Sequence, residues 1–254
     1  MDAGVTARRR GPNLEVNKTT WVLGFMQRDR FSIQGQRLLD FYTQMAAEGY
    51  SRASGDHITD AFSDFELRKF RNIAKTFFEQ NKIQTVLDYG SGGSDWNIEG
   101  FDSESGESAK RYFNLEHVIN YEPARQRDGV STADCVTCID VMEHIFLSDI
   151  PAVLNDIFSH ANKAVMLNIA CYPAAALLPN GDNAHISVRD PLWWKGVLDM
   201  VSIEFPDINV MLICSVTYQS GIVFAPWGAG DWLANESLIV PPPQGVSFGD
   251  APVR

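Results

Sequence analysis

At 254 residues the chain is long enough for one well-buried α/β domain with decorations and short for two. Its 21 basic and 32 acidic residues, a net charge of −11, give a surface that repels nucleic acid and anionic lipid unless a local basic patch overrides it. No apolar run is long enough to span a bilayer and the N-terminus lacks a signal-peptide pattern, so the expectation is a cytoplasmic protein with no membrane partner.

Residues 1–30 are polar and pattern-poor, and their only basic run, Arg8, Arg9 and Arg10, reads as a solvated tail. Helical periodicity begins near Phe31, where Leu38, Leu39, Phe41, Tyr42 and Met45 form a stripe that Gly49 stops. A second helical run covers 65–80, with Phe70, Ile73, Ala74, Phe77 and Phe78 on one side. These two runs form a helical extension over 31–81, expected to lid an acceptor pocket.

From Lys82 the texture changes to short apolar strands alternating with helical stretches. Ile83, Val86 and Leu87 run into a glycine-rich turn, Asp88-Tyr89-Gly90-Ser91-Gly92-Gly93-Ser94. Strands are expected at 117–121, ending at Glu122 and Pro123, at 135–139 and at 164–169, with a helix starting at Val141-Met142-Glu143-His144 after the third. The runs 210–214 and 221–224 close the series. Too few residues join them for a helical crossover, so they should pair antiparallel. The fold class that follows is α/β, a mostly parallel twisted sheet covered on both faces with an antiparallel last strand. Residues 225–254, with Trp232 and Pro241-Pro242-Pro243, read as a flap or tail.

Cys135 and Cys138 spell C-x-x-C, a spacing that suggests redox or zinc chemistry. On one strand, however, positions i and i+3 point to opposite faces, which predicts two buried free thiols.

A strand emptying into a glycine turn before a helix is a generic nucleotide-binding device. This one lacks the third glycine of the dinucleotide pattern and the G-K-[ST] ending of a phosphate loop, which disfavours a nucleotide-dependent oxidoreductase. Val86-Leu87-Asp88-Tyr89-Gly90-Ser91-Gly92 resembles the first signature of class I S-adenosylmethionine-dependent methyltransferases. Tyr121-Glu122-Pro123 is similar to the end of that family's second strand, and Cys138-Ile139-Asp140-Val141-Met142-Glu143-His144-Ile145 to its D-V-L-E-H-I segment.

The resemblance covers about 82–224 and implies a Rossmann-like methyltransferase domain. Asp88, Tyr89, Gly90, Ser91, Gly92, Glu122, Pro123, Asp140, Val141 and Met142 would bind S-adenosylmethionine. A sulfonium is cationic and carries no phosphates, so carboxylates suit it. Asp88 would face the ammonium of its amino-acid end, directly or through water, and Glu122 the ribose hydroxyls. Two departures stand out. Ser94 occupies the third glycine position, and 125–133 is too short for the usual third β-α unit, so no adenine-binding acid is assigned.

Asp140, Glu143 and His144 at i, i+3 and i+4 would share one helix face, and His185 follows in the loop 178–185. Within the superfamily this set is similar to a divalent-metal site found in small-RNA 3′-terminal 2′-O-methyltransferases and in quinone-biosynthesis O-methyltransferases. Asp140, Glu143, His144 and His185 would then bind Mg²⁺, Mn²⁺ or Zn²⁺ and lower an acceptor hydroxyl's pKa. The other reading makes Glu143 a helix cap touching the cofactor and His144 or His185 a general base or packing group.

The expected function is S-adenosylmethionine-dependent O-methylation of a small hydroxyl-bearing acceptor, with His144 and His185 as candidate catalytic residues. A metal-dependent RNA 2′-O-methyltransferase, which the net charge disfavours, and a non-catalytic S-adenosylmethionine-binding partner protein are the alternatives.

Overall fold

The computed structural model describes residues 31–59, 66–129, 131–218, 220–227 and 236–240. Arg8, Arg9, Arg10, Phe65, Trp232 and the three consecutive prolines lie outside them.

Five parallel strands form the centre of a seven-stranded sheet: β3 (Thr85–Tyr89), β4 (His117–Tyr121), β5 (Ala133–Ile139), β6 (Ala161–Ala170) and β8 (Asn209–Thr217). Their order across the sheet is β4-β3-β5-β6-β8, after which β9 (Ser220–Trp227) and β10 (Glu236–Val240) add antiparallel. The expected antiparallel pairing of the last two apolar runs is thus present, and β10, within the segment expected to be a flap or tail, extends it. The chain starts at β3, steps to β4 at the edge, and returns past β3 to β5. That reversal is a topological switch point, where open α/β sheets bind ligands beyond the strands' carboxyl ends. The arrangement is compatible with a Rossmann-like fold, and the same strand order serves doubly wound proteins of many functions.

Alternation along each strand feeds two cores. On one face Leu87, Val136, Cys138, Leu167 and Leu212 pack with α4 (Ile150–Ser159) and α5 (Pro191–Ser202). On the other, Val86, Cys135, Met166 and Ile213 pack with Phe77 and Phe78 of α2 (Arg71–Gln80) and with Trp96, Phe101 and Phe113 around α3 (Ala109–Tyr112). Cys135 and Cys138 therefore belong to opposite cores, and both are buried free thiols. Among the described residues only a short turn at Pro123–Arg125 lies between β4 and β5, so no third β-α unit is seen there.

The segment before the sheet divides into two parts with different roles. Residues Glu66–Phe70 form a 3-10 turn leading into α2, which is a layer of the sheet. Only α1 (Ile33–Glu48) stands apart. Ser32 caps it by accepting from the Gly35 N–H at 3.0 Å. Gly49 ends it at φ 86, where an added Cβ would meet the Ile58 carbonyl at 2.2 Å. The buried stripe of α1, Leu38 and Met45 with Phe41 and Tyr42 beside them, packs on Phe146, Leu178 and Ala184 rather than on the sheet. A second, small sheet joins β1 (Tyr50–Arg52), β2 (His57–Ile58) and β7 (Ala176–Leu177), tying the end of α1 to the loop that carries His185. Among the described residues no helix is long and apolar enough to cross a membrane.

Candidate metal centre and glycine turn

The expected helix at 141–144 is absent, and the difference shapes the site. The chain leaves β5 through Asp140 at φ 58, makes a three-residue 3-10 turn at Met142–His144, and begins α4 only at Ile150. Asp140, Glu143 and His144 are gathered by this tight reversal rather than by α-helical spacing. The Asp140 N–H donates to the Asn168 carbonyl of β6 at 2.9 Å, fixing the reversal against the neighbouring strand.

His185 arrives from the loop after β7. Each of the four side chains offers a ligand atom within 4.8 Å of the others. The imidazoles of His144 and His185 meet edge to face with centroids 4.7 Å apart. His185 Nδ1 lies 2.5 Å from the Tyr172 carbonyl and His144 Nδ1 2.9 Å from the Ala184 carbonyl. A carbonyl only accepts, so each Nδ1 carries a proton and each Nε2 is the ring atom left to ligate a metal. Metal-bound histidines are held in this way, the second ring nitrogen donating to a fixed acceptor.

Glu143 is completely buried. Its Oε1 accepts the Ala170 N–H at 2.5 Å, while Oε2 has no hydrogen-bond donor. Burial, and then the negative charge of Asp140, push its carboxyl well above the ordinary value. Burial also opposes ionisation of Asp140, but a hydrogen bond with Glu143, the two imidazoles and Lys69 hold that carboxyl below its usual value. Burial, then His185, push His144 down to about 4, so it is neutral at neutral pH. Two carboxyls, one with a buried oxygen that no N–H or O–H group of the chain reaches, and two imidazoles with each Nδ1 turned to a carbonyl fit a divalent ion such as Mn²⁺ or Zn²⁺.

The glycine turn is latched to the end of β4. The N–H groups of Gly90 and Ser91 donate to the Tyr121 carbonyl at 2.8 and 3.0 Å, and Gly92 N–H donates to Glu122 Oε2 at 2.7 Å. Gly90 has φ 76, and an added Cβ would meet Val141 at 2.5 Å, so only glycine lets the turn pass under that side chain. Ser91 Oγ is buried without a partner, which suits a ligand group at the turn.

Several residues expected at the cofactor have their side chains engaged elsewhere. Asp88 Oδ2 accepts Trp96 Nε1–H at 2.8 Å and Oδ1 accepts Thr137 Oγ1–H at 3.1 Å, beneath the turn. Burial raises its carboxyl to about 6. Tyr89 donates to Asp156 Oδ2 at 2.9 Å and packs at a tilt against the Tyr121 ring inside the first core, which Met142 also joins. The Asp88 and Tyr89 side chains are thus both buried below the turn. Glu122 also caps its own turn, accepting the Ala124 N–H at 3.0 Å, and Pro123 opens that turn. Each Glu122 oxygen retains a lone pair for a further donor.

The sequence reading missed Tyr42. Its hydroxyl lies 2.5 Å from His144 Nδ1 and 3.3 Å from the Ala184 carbonyl, and it also interacts electrostatically with Glu143, Asp140 and Glu122. Nothing local marks it, because it reads as one more member of the α1 stripe.

Among known proteins the chain matches no family model, no curated protein and no solved structure.

Proposed function

We propose that the chain is a divalent-metal-dependent, S-adenosylmethionine-dependent methyltransferase that methylates a hydroxyl of a small acceptor. The observation that carries the reading is the four-ligand cluster, with both Nδ1 atoms tied to carbonyls, set beside a glycine turn at the switch point of the sheet. S-adenosylmethionine supplies an electrophilic sulfonium methyl, and a divalent ion lowers the pKa of a hydroxyl bound to it. Asp140 and Glu143 supply the negative charge that neutralises the ion, and the two Nε2 lone pairs complete the donor set. Glu122 accepts ribose hydroxyls with the lone pairs that Gly92 and Ala124 leave open, and Ser91 Oγ faces the same ligand. A net charge of −11 favours a small acceptor over RNA.

One observation favours a second reading, a metal-binding chain without the methyl donor. The Asp88 carboxylate, which the resemblance places near the cofactor's ammonium, is taken up by Trp96 and Thr137. Calorimetry with Mn²⁺ and with S-adenosylhomocysteine separates the two. The proposal expects both to bind, the latter at micromolar strength or better, about −8 kcal/mol. Mn²⁺ binding alone supports the second reading, and binding of neither overturns both.

A further inference from the structure

We infer that Tyr42 is a positioning residue for the metal centre and that α1 is a strap whose docking is coupled to metal binding. The inference rests on the metal reading above and deepens it. The strap is anchored at two places on one stretch of chain. At its start, Ser32 N–H and Oγ–H donate to the two oxygens of Asp149, each at 2.8 Å. Ten residues on, about 15 Å along a helix, the Tyr42 hydroxyl meets His144 and Ala184. His144 and Asp149 bracket the link between the 3-10 turn and α4, so α1 spans the segment that delivers a ligand.

The hydrogen-bond directions leave one consistent assignment. If Tyr42 donated to Nδ1, the His144 proton would sit on Nε2. Nδ1 would then face the Ala184 carbonyl at 2.9 Å as acceptor against acceptor. With the proton on Nδ1, that N–H is shared by the Tyr42 oxygen and the Ala184 carbonyl, and the Tyr42 O–H donates to the same carbonyl. The Ala184 carbonyl thereby fixes the tautomer, and Tyr42, as the second acceptor of the same N–H, fixes the plane of the ring and aims Nε2 at the other ligands. The link runs both ways: a metal on Nε2 strengthens Nδ1–H as a donor to Tyr42, and a docked α1 holds Nε2 in place.

Tyr42→Phe keeps the ring and removes the hydroxyl, and His144 keeps its bond to Ala184, so the variant should fold. Calorimetry should show Mn²⁺ binding weakened about tenfold, the lower end for loss of a partner behind a metal ligand. Hydrogen exchange of the α1 amides should slow on adding Mn²⁺ to the wild type and respond much less in Tyr42→Phe, a coupling that a purely packing role for Tyr42 would not produce. Ser32→Ala, which loosens the strap far from every ligand, should also weaken Mn²⁺ binding. Wild-type affinity in Tyr42→Phe, or α1 exchange indifferent to Mn²⁺, overturns the inference and leaves the metal reading standing. No Mn²⁺ binding to the wild type overturns both.

Discussion

Glu143→Gln separates a ligand from a structural acid, because the amide keeps the shape and hydrogen bonds of the protonated carboxyl and loses the charge that a metal requires. Glu143 lies fully buried beside Asp140, with one oxygen bonded to the Ala170 N–H and the other without a donor. Without a metal this is a poor place for a second carboxyl, as its raised pKa reflects. The amide keeps an acceptor for Ala170 and can donate an N–H to the Asp140 carboxylate in place of the hydrogen bond that the Glu143 carboxyl already shares with it. One hydrogen bond to a charged acceptor, about 1.5–3 kcal/mol, is exchanged for another, so the net change in the metal-free protein should stay within about 1 kcal/mol. For a domain of this size each kcal/mol shifts the midpoint by about 2–4 °C, so the metal-free variant should melt within about 4 °C of the wild type. Mn²⁺ should bind at least ~100-fold more weakly, about 2.8 kcal/mol, since a charged ligand has become a neutral one. Thermal melts with chelator and calorimetry with Mn²⁺ read the two effects separately. A metal-free variant that melts about 8 °C lower or more would mean that the carboxyl is part of the scaffold, and unchanged Mn²⁺ affinity would remove Glu143 from the ligand set.

His185→Ala should lower Mn²⁺ affinity by about tenfold or more and leave S-adenosylhomocysteine binding intact, as equilibrium titrations of each ligand would show. A joint loss would place His185 at the cofactor. Trp96→Phe removes the donor to Asp88 Oδ2 and leaves a buried carboxyl oxygen unpaired, which costs about 1–3 kcal/mol in urea unfolding. A fall in S-adenosylhomocysteine affinity without loss of stability would instead make Asp88 a ligand group. Away from the site, burial raises the Asp134 carboxyl, but the N–H groups of Gln84 and Thr85 and the Lys163 ammonium outweigh it and hold the group below its ordinary value. Its contribution is therefore present above pH ~4 and is lost as the pH falls through the lowered folded value. Asp134→Asn should be less stable than the wild type at neutral pH, with the gap closing in acid. A gap that widens below pH ~4 would refute that sign.

The inner parallel strands β3, β5, β6 and β8 were legible because they are buried on both faces over most of their length and read as apolar runs, while β4 at the edge is only half-buried. The strands β1, β2 and β7, two or three residues long, carry no period at all and exist only through their partners. The misplaced helix start is more instructive. Val141-Met142-Glu143-His144 looks helical in isolation, yet Pro151 falls in the first turn of α4, the place in a helix that tolerates proline. The boundary signal was in the sequence, ten residues beyond the place where the motif drew attention. Asp140, Glu143, His144 and His185 could be named together because their order along the chain is similar to a divalent-metal site of the methyltransferase superfamily, and because His185 sits in an edge loop, where functional side chains collect. Tyr42 could not, since its partner is 102 residues away and a phenol in an apolar stripe carries no local mark of its hydrogen bond.

The backbone at Asp140 connects fold and site most directly. A non-glycine residue at φ 58 carries a conformational cost of order 1–3 kcal/mol, and glycine would meet the same turn without it. Aspartate is among the side chains that tolerate this region best, and here it does what glycine cannot. Its N–H closes on Asn168 of β6 while its carboxyl turns back toward Glu143, His144 and His185. The sharp exit from β5 is what keeps 141–144 from propagating as an α-helix, and it brings Val141 over Gly90. One strained residue thus sets the glycine turn under Val141 and the acid cluster beside it. That is the pattern expected where surrounding structure holds a strained backbone for the sake of a site.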